Sequence, residues 1–129
     1  MNSSVSFSMS LKPMSINAAY YKTRSIKTTA CKNYEQVLAM CMANVPGLTE
    51  LKHYTNFVVD YIFVHPESVF YNKEGRISAK SFDLTNCEKL LQDVLFTTIG
   101  ADDRFVTRMT SSKVAGHTWE IRVTVTGQI

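Results

Sequence analysis

The residues best suited to chemistry in this 129-residue chain are carboxylates at the two ends of one predicted helix. Asp83 comes just before the helix, and Asp102 and Asp103 come just after it. Carboxylates with oxygen-bearing neighbours suit Mg²⁺, which proteins bind through a few carboxylates, water and phosphate oxygens. A magnesium ion held in this way activates water for phosphodiester hydrolysis. The pattern is therefore compatible with metal-assisted chemistry on a phosphate ester, but helix caps and an Asp-Asp turn explain the same residues.

The helix itself carries polar residues on one face. Asn86, Lys89 and Asp93 are spaced by three and four, so they lie on the same side, turned away from the apolar stripe. Lys89 is suited to holding a phosphate or stabilising developing negative charge. A second interpretation stays open, because Asp83 and Thr85 are good helix caps and Lys89 with Asp93 can be an exposed ion pair.

The distance between the acids constrains the site. A helix of this length separates its two ends by about 18–20 Å. Asp83 and Asp103 therefore meet only if the strand that begins at Arg104 runs back along the helix, or if a second subunit supplies the partner. The sequence leaves this choice open.

The excess of basic over acidic residues lies in the first half of the chain. Five cations follow one another there with no acid between them: Lys12, Lys22, Arg24, Lys27 and Lys32. Their positive field would attract a polyanion, and Tyr20 and Tyr21 beside them could stack on bases. With two cations from a later loop, these residues would bind a nucleic acid such as DNA, with Tyr20 stacking on bases and six cations contacting the backbone: Lys12, Lys22, Arg24, Lys27, Arg76 and Lys80. The alternative is a solvated loop.

Composition excludes several classes of protein. Hydrophobic residues make up 45% of the chain and charged residues 19%, values of a globular domain rather than a disordered one. The apolar runs fall short of the roughly 20 residues that a membrane-spanning helix needs. The three cysteines show no paired spacing, which argues against disulfides and zinc. We expect core thiols at Cys31, Cys41 and Cys87, no membrane contact, and a cytoplasmic location.

Hydrophobic periodicity predicts one mixed α+β domain over residues 1–129, in the order β-α-β-α-β-β around a mixed sheet. The predicted elements are a strand over Ser4–Leu11, a helix over Cys31–Asn44, a central strand over Asn56–His65, a helix from near Thr85 to Gly100, and strands over Arg104–Lys113 and Thr118–Thr126. Residues 66–82 are predicted to be a long loop.

Three details of these elements are open to direct comparison with the structure. The stripe of the first helix includes Val37 and Cys41 among its buried positions. The near-continuous apolar run of the central strand predicts cover on both faces. Thr85 and Glu88 fit a capping box at the start of the second helix.

Three segments resemble the RusA-type Holliday-junction resolvases. Pro13–Tyr20 is similar to the family's P-x-S-x-N-x-x-Y segment, Ser81–Leu95 contains its D-L-x-N-x-x-K-x-x-x-D-x-L block, and Gly100–Val106 its G-x-D-D-x-x-V block. Each block alone is weak, but the three occur in the family's order and spacing. The order of predicted elements is also similar to the small dimeric α/β fold of that family.

The resemblance implies a Mg²⁺-dependent homodimeric endonuclease, with Mn²⁺ as an alternative ion, that cuts four-way DNA junctions by symmetric nicking. It implies metal-binding catalytic carboxylates at Asp83 and Asp103 and a catalytic or phosphate-contacting base at Lys89. Asp102 is adjacent, and Asn86 and Asp93 would shape the site.

One position departs from the family pattern. The best-known members carry an aspartate two residues after the first, where this chain has Thr85. The site would carry one negative charge fewer per subunit, and a hydroxyl is a poorer metal ligand than a carboxylate. Two alternatives therefore stand beside the nuclease: a non-cleaving protein of the same fold that binds branched or single-stranded DNA, and a structural or regulatory protein whose acidic turn is only a cap.

Overall fold

Period-2 alternation of serine with apolar residues produces the first strand of a four-stranded sheet. The computed structural model describes residues 2–20, 26–81 and 83–129, apart from the side chain of Thr85. The strands are β1 (Asn2–Met9), β2 (Asn56–Pro66), β3 (Val106–Gly116) and β4 (Glu120–Gln128). The helices are α1 (Ile16–Ala19), α2 (Thr29–Ala43), α3 (Glu67–Phe70) and α4 (Leu84–Ile99), with 3₁₀ turns at Thr49–His53 and Asp103–Phe105.

The sheet is mixed, in the order β1-β4-β2-β3. β4 is antiparallel to both β1 and β2, whereas β3 is parallel to β2. The predicted α+β class, element order and mixed sheet are confirmed. The last two strands each lie about two residues later than predicted, and they are not neighbours, because β2 lies between them.

One face of the sheet packs against α2 and α4. Alternate residues of β2 and β4 point into this core and are buried: Phe57, Val59, Tyr61, Phe63, Ile121, Val123 and Val125. The other face is polar along β1 and β4, where hydroxyl pairs join Ser4 to Thr126 at 2.7 Å and Ser6 to Thr124 at 2.9 Å. Cover of β2 on both faces was therefore wrong. Val58 and Ile62, which point to the polar face, are only half-buried.

Helix α2 forms where its apolar stripe predicted it, but fewer residues of that stripe are buried than expected. Its N-cap is Thr28, whose hydroxyl accepts from the Cys31 N–H at 3.1 Å. The residues buried along its length follow steps of three and four: Cys31, Tyr34, Leu38 and Met42. Placing Val37 and Cys41 in the core was wrong. They lie beside this line, on the side turned to solvent, and Val37 is 42% exposed.

Helix α4 begins at Leu84, so Thr85 is already inside it and the predicted capping box was wrong. The carboxylate of Glu88 instead accepts a hydrogen bond from the Ser111 hydroxyl of β3, at 2.5 Å. The predicted apolar stripe of α4 is confirmed, because all of its members are buried: Cys87, Leu90, Leu91, Val94 and Leu95.

The segment before α4 is more ordered than the predicted loop. It contains α3 and an antiparallel bridge between Tyr71 and Ile77. Across the described ranges, none of the helices is long and apolar enough to cross a membrane.

The narrow buried line of α2 gives a stability prediction. Leu38→Ala should lower the free energy of unfolding by about 2–5 kcal/mol, because it removes a fully buried side chain and leaves a cavity. Val37→Ala, one residue away and exposed, should change it by less than about 0.5 kcal/mol. Urea denaturation of both variants measures the difference, and equal losses would contradict the buried line described here.

Candidate active site

The candidate site lies along the seam between α4 and the edge strand β3. Side chains at alternate positions of β3 face the helix, in register with buried residues of β2: Met109 with Val59, Ser111 with Tyr61 and Lys113 with Phe63. Ser111 donates to Glu88 in the second turn of α4, and the Lys113 ammonium donates to the Ser81 hydroxyl just before the helix at 3.0 Å. Polar groups of β3 therefore follow α4 from its middle back to its start.

The middle of the seam holds a depression of about 250 Å³, which we call the acidic depression. Three of its lining residues carry carboxylates. A further lining residue is Gln92, whose amide oxygen accepts a hydrogen bond from the Tyr61 hydroxyl at 3.1 Å. The Lys89 ammonium lies 3.5 Å from the Asp93 carboxylate at its rim. The lining residues are Glu88, Lys89, Gln92, Asp93, Asp103 and Met109.

Asp83 lies in a separate depression at the start of α4, which we call the Asp83 depression. Its lining residues are Ile77, Ser78, Ala79, Ser81, Asp83, Leu84 and Lys113. Asp83 and Asp103 thus line different depressions, with the Ser111–Glu88 hydrogen bond between them along the seam. The strand after Arg104 does run back along the helix, but it carries Ser111 and Lys113 toward the helix start. Asp103 precedes the strand and stays beside Asp93.

Asp102 and Asp103 have different surroundings although they are adjacent. The Asp102 carboxylate accepts from the Arg104 N–H at 2.9 Å and lies 3.3 Å from the Arg104 guanidinium, so it caps the 3₁₀ turn. Asp102 borders a neighbouring hollow with Asp93 and Asp103, but it does not line the acidic depression. Of the two residues, Asp103 is the one placed with Glu88.

Burial and the carboxylates together shift two pKa values behind the seam. Burial raises the pKa of Tyr61 well above its usual range, with smaller contributions from Glu88, Asp103 and Asp93, so its hydroxyl stays a donor to Gln92. Burial also raises the pKa of Cys87 to about 12, with Asp83 and Glu88 adding to the rise and Lys113 opposing it. Carboxylates that line both depressions therefore raise the pKa values of buried groups between α4 and the sheet.

The donor set of the acidic depression fits a hard cation. Its metal-suited ligands are carboxylate and amide oxygens, with neither cysteine nor histidine among the lining residues. Within residues 2–20, 26–81 and 83–129, no three acidic, histidine or cysteine side chains are gathered closely enough to chelate an ion. Mg²⁺ does not require three, because it usually binds one or two carboxylates and keeps several waters. A volume of about 250 Å³ has room for such waters at roughly 30 Å³ each.

The basic residues have varied surroundings. The Lys12 ammonium lies 5.2 Å from the Trp119 ring centroid, and Lys27 is paired with Glu35 at 2.8 Å, which raises the Lys27 pKa through that hydrogen bond. Tyr20 forms a bridge with Lys27. Arg76 and Lys80 are exposed in the segment that precedes α4. Lys22 and Arg24 lie outside the described residues.

Several residues of the seam were missed by sequence reasoning. Glu88 was assigned to a capping box, and Ser111 and Lys113 were placed where the end of a predicted strand overlaps the predicted turn over Ser111–His117. Their period-2 spacing did place Ser111 and Lys113 on one face of β3. Which element that face meets is a property of the sheet order, and the sequence pattern carried no signal for it.

The fold and the seam define a class: a small α+β domain with oxygen ligands for a hard cation and nearby cations for a polyanion. The family model of endodeoxyribonuclease RusA matches residues 11–126, nearly the whole of the chain. The chain therefore belongs to the RusA endodeoxyribonuclease family, whose members are nucleases that resolve Holliday junctions. A search of curated proteins found no significant match.

The environment of the cysteines predicts their reactivity. Cys87 has a pKa of about 12 and Cys31 a pKa raised chiefly by burial, so both stay protonated at neutral pH, and the thiol form is a poor nucleophile. Cys41 is exposed. In the folded protein we expect one thiol per chain to react quickly with Ellman's reagent, and all three to react in denaturant.

The control for this reaction is Cys41→Ser, which should remove the fast phase and leave the slow ones. A fast reaction that persists in Cys41→Ser would show that Cys31 or Cys87 is accessible and would contradict the burial of that thiol.

Proposed function

We propose that this chain is a Mg²⁺-dependent endonuclease that resolves four-way DNA junctions by paired, symmetric nicks. Family membership supports the substrate class and the nuclease activity. The single observation that carries the metal dependence is the acidic depression, where Asp103 and Glu88 lie together with Lys89 at the rim. Mn²⁺ would serve in place of Mg²⁺, since both prefer oxygen ligands.

The roles of the residues follow from their places along the seam. Asp103, with Glu88 beside it, would hold the cation, which when bound activates water and offsets charge on the leaving oxygen. Ser111 fixes one oxygen of Glu88, so the carboxylate is held in one orientation without a metal. Lys89 is 61% exposed at the rim and is free to swing from Asp93 toward a phosphate oxygen. Its positive charge would stabilise the negative charge that develops on the phosphate.

Asp83 is proposed as the second essential carboxylate. It stands at the other end of the seam, directly before the first turn of α4. Thr85 occupies the position where well-known family members have an aspartate, so this end of the seam would contribute one carboxylate fewer to a bound metal. Thr85→Asp is the informative reverse substitution: tighter Mg²⁺ binding would identify Thr85 as a weakened ligand position.

The second candidate function is binding of branched DNA without cleavage. Two observations favour it: Thr85 replaces a carboxylate, and the described acids do not form a three-ligand cluster. A labelled four-way junction with Mg²⁺ separates the candidates. Paired nicks support the nuclease, a gel shift without nicks supports the binder, and neither result leaves a structural or regulatory protein.

Neutralising the proposed carboxylates gives the sharpest test of the site. Asp83→Asn and Asp103→Asn should each reduce the cleavage rate at least about 100-fold, because the metal loses a charged ligand. Junction binding in EDTA should be unchanged or tighter, because repulsion of phosphates is relieved. Single-turnover cleavage and anisotropy titrations measure the two effects.

Glu50→Gln is the matched control, since Glu50 is exposed in the 3₁₀ turn Thr49–His53. It should cut at the rate of the unmodified protein. Cleavage at that same rate by Asp83→Asn or Asp103→Asn would show that the site is misplaced.

We further propose a two-fold homodimer. A four-way junction presents two equivalent strands, and a two-fold dimer would supply two sites related by the same symmetry. Within one chain, Asp83 and Asp103 line separate depressions. A dimer would also allow Asp83 of one subunit to approach the acidic depression of the other. Exposed apolar residues beside the acidic depression offer surface for such contact: Phe105 is 47% and Met109 41% exposed.

Light scattering at micromolar concentration should give twice the mass of one 14.6 kDa chain. Mg²⁺ should stabilise the dimer, because carboxylates brought together across the axis repel one another unless a cation lies between them. A stable monomer that still nicks both strands symmetrically would contradict the proposal.

A further inference from the structure

Lys113 is a half-buried cation that the proposed chemistry has not used. It lies on the helix-facing side of the edge strand β3, in register with the buried Phe63. Its ammonium donates to the Ser81 hydroxyl at 3.0 Å, and both residues line the Asp83 depression. A positive charge therefore lines the same depression as Asp83, and this depression opens to solvent.

Ser81, which accepts the hydrogen bond from Lys113, belongs to a turn that is closed by its own hydrogen bonds. The Ser81 hydroxyl donates to the Ser78 carbonyl at 2.8 Å, and the Ser78 hydroxyl accepts from the Lys80 N–H at 3.1 Å. The Ser81 N–H also donates to the Ser78 carbonyl, at 3.1 Å. Ser81 is thus held in place by its own turn, and it in turn orients the Lys113 ammonium before any ligand arrives.

Charge is distributed unevenly along the seam. The acidic depression has three carboxylates and one lysine in its lining, whereas the Asp83 depression has one carboxylate and one lysine. Arg76 and Lys80 flank the lining residues of the Asp83 depression in the chain, and both are exposed. The start of α4, which is 16 residues long, adds the partial positive charge of a helix N-terminus. This end of the seam therefore favours an anion more than the acidic depression does.

We propose that Lys113 and Ser81 form a subsite that binds one backbone phosphate of the DNA strand, next to the phosphate that is cut. The inference rests on the proposed function, because the ligand is the nuclease's own substrate. The ammonium would bind a non-bridging phosphate oxygen, and the Ser81 hydroxyl would orient the ammonium. The subsite would position the strand so that its neighbouring phosphate enters the acidic depression.

The chemistry of this pair fits a phosphodiester. Lysine is a compact point charge that binds phosphate without demanding bidentate geometry. An edge strand leaves one side open, so a polymer can pass along the seam in a way that a closed pocket would not permit. Lys113 also offsets the repulsion between the approaching phosphate and Asp83.

The experiment measures junction binding in EDTA over a series of KCl concentrations, using fluorescence anisotropy with a labelled four-way junction. Lys113→Met, which keeps the length of the side chain, should weaken binding about ten-fold. It should also reduce the slope of log K against log [KCl] by about 0.9, the value for one phosphate contact. Lys113→Arg should restore the slope. Arg122→Gln is the matched control, because Arg122 lies on the opposite, polar face of the sheet, and it should change neither quantity.

Single neutral methylphosphonates in one strand of the junction then locate the contact. At the phosphate bound by Lys113, the substitution should weaken binding of the unmodified protein about ten-fold but leave Lys113→Met unaffected. Elsewhere along the strand it should weaken both proteins equally. An unchanged salt slope in Lys113→Met, or equal losses at every position, would overturn the subsite.

Lysine acetylation of the unmodified protein provides a measurement that does not depend on folding of a variant. The junction should protect Lys113 from acetylation, as read by mass spectrometry, and lack of protection would overturn the proposal. If the unmodified protein cuts junctions but Lys113 is neither protected nor linked to the salt slope, only the subsite fails. If the unmodified protein neither binds nor cuts junctions, the proposed function and the subsite fail together.

Discussion

The parallel pairing of β3 with β2 is the constraint on which the site depends. In-register partners share a face of the sheet, so Ser111 and Lys113 point to the same side as Tyr61 and Phe63. On β2 these positions are aromatic and buried, because strands lie on both sides of β2 and α4 covers it. On β3, the edge strand, the same face carries a hydroxyl and an ammonium that reach both the helix and solvent. The same face of the sheet is therefore core at β2 and part of the candidate site at the neighbouring strand β3.

The hydrogen bond between Ser111 and Glu88 connects this edge to α4 and divides the seam. On one side of it lie Asp103, Asp93 and Lys89, and on the other lie Asp83 and Lys113. A carboxylate that accepts a hydroxyl hydrogen bond is oriented before a ligand binds, which reduces the entropy lost on binding. The charge separation along the seam also suits the proposed metal-dependent nuclease, which would hold a cation at one point and polyanionic backbone at the next.

Local sequence patterns predicted the positions of the helices and strands well, but they predicted the burial and hydrogen-bond partners of individual side chains less well. The stripe of α4 from Cys87 to Leu95 is buried as predicted, because its period matches the helix and its residues are strongly apolar. Val37 and Cys41 were placed in the core wrongly, since a periodic pattern tolerates neighbours on the edge of the stripe. Glu88 fitted a capping box by spacing, but the helix begins one residue before Thr85 and a serine from β3 satisfies the carboxylate instead.

The sequence by itself determined the α+β class, the order of the elements and the family, through three motifs in register between Pro13 and Val106. It also singled out Asp83, Lys89 and Asp103, because a residue's type and its spacing along a helix are local properties. Only the tertiary structure decided that Asp83 and Asp103 line different depressions and that Ser111 and Lys113 stand between α4 and solvent. Those placements follow from the insertion of β2 between β3 and β4, a long-range pairing that the sequence pattern of a single strand does not specify.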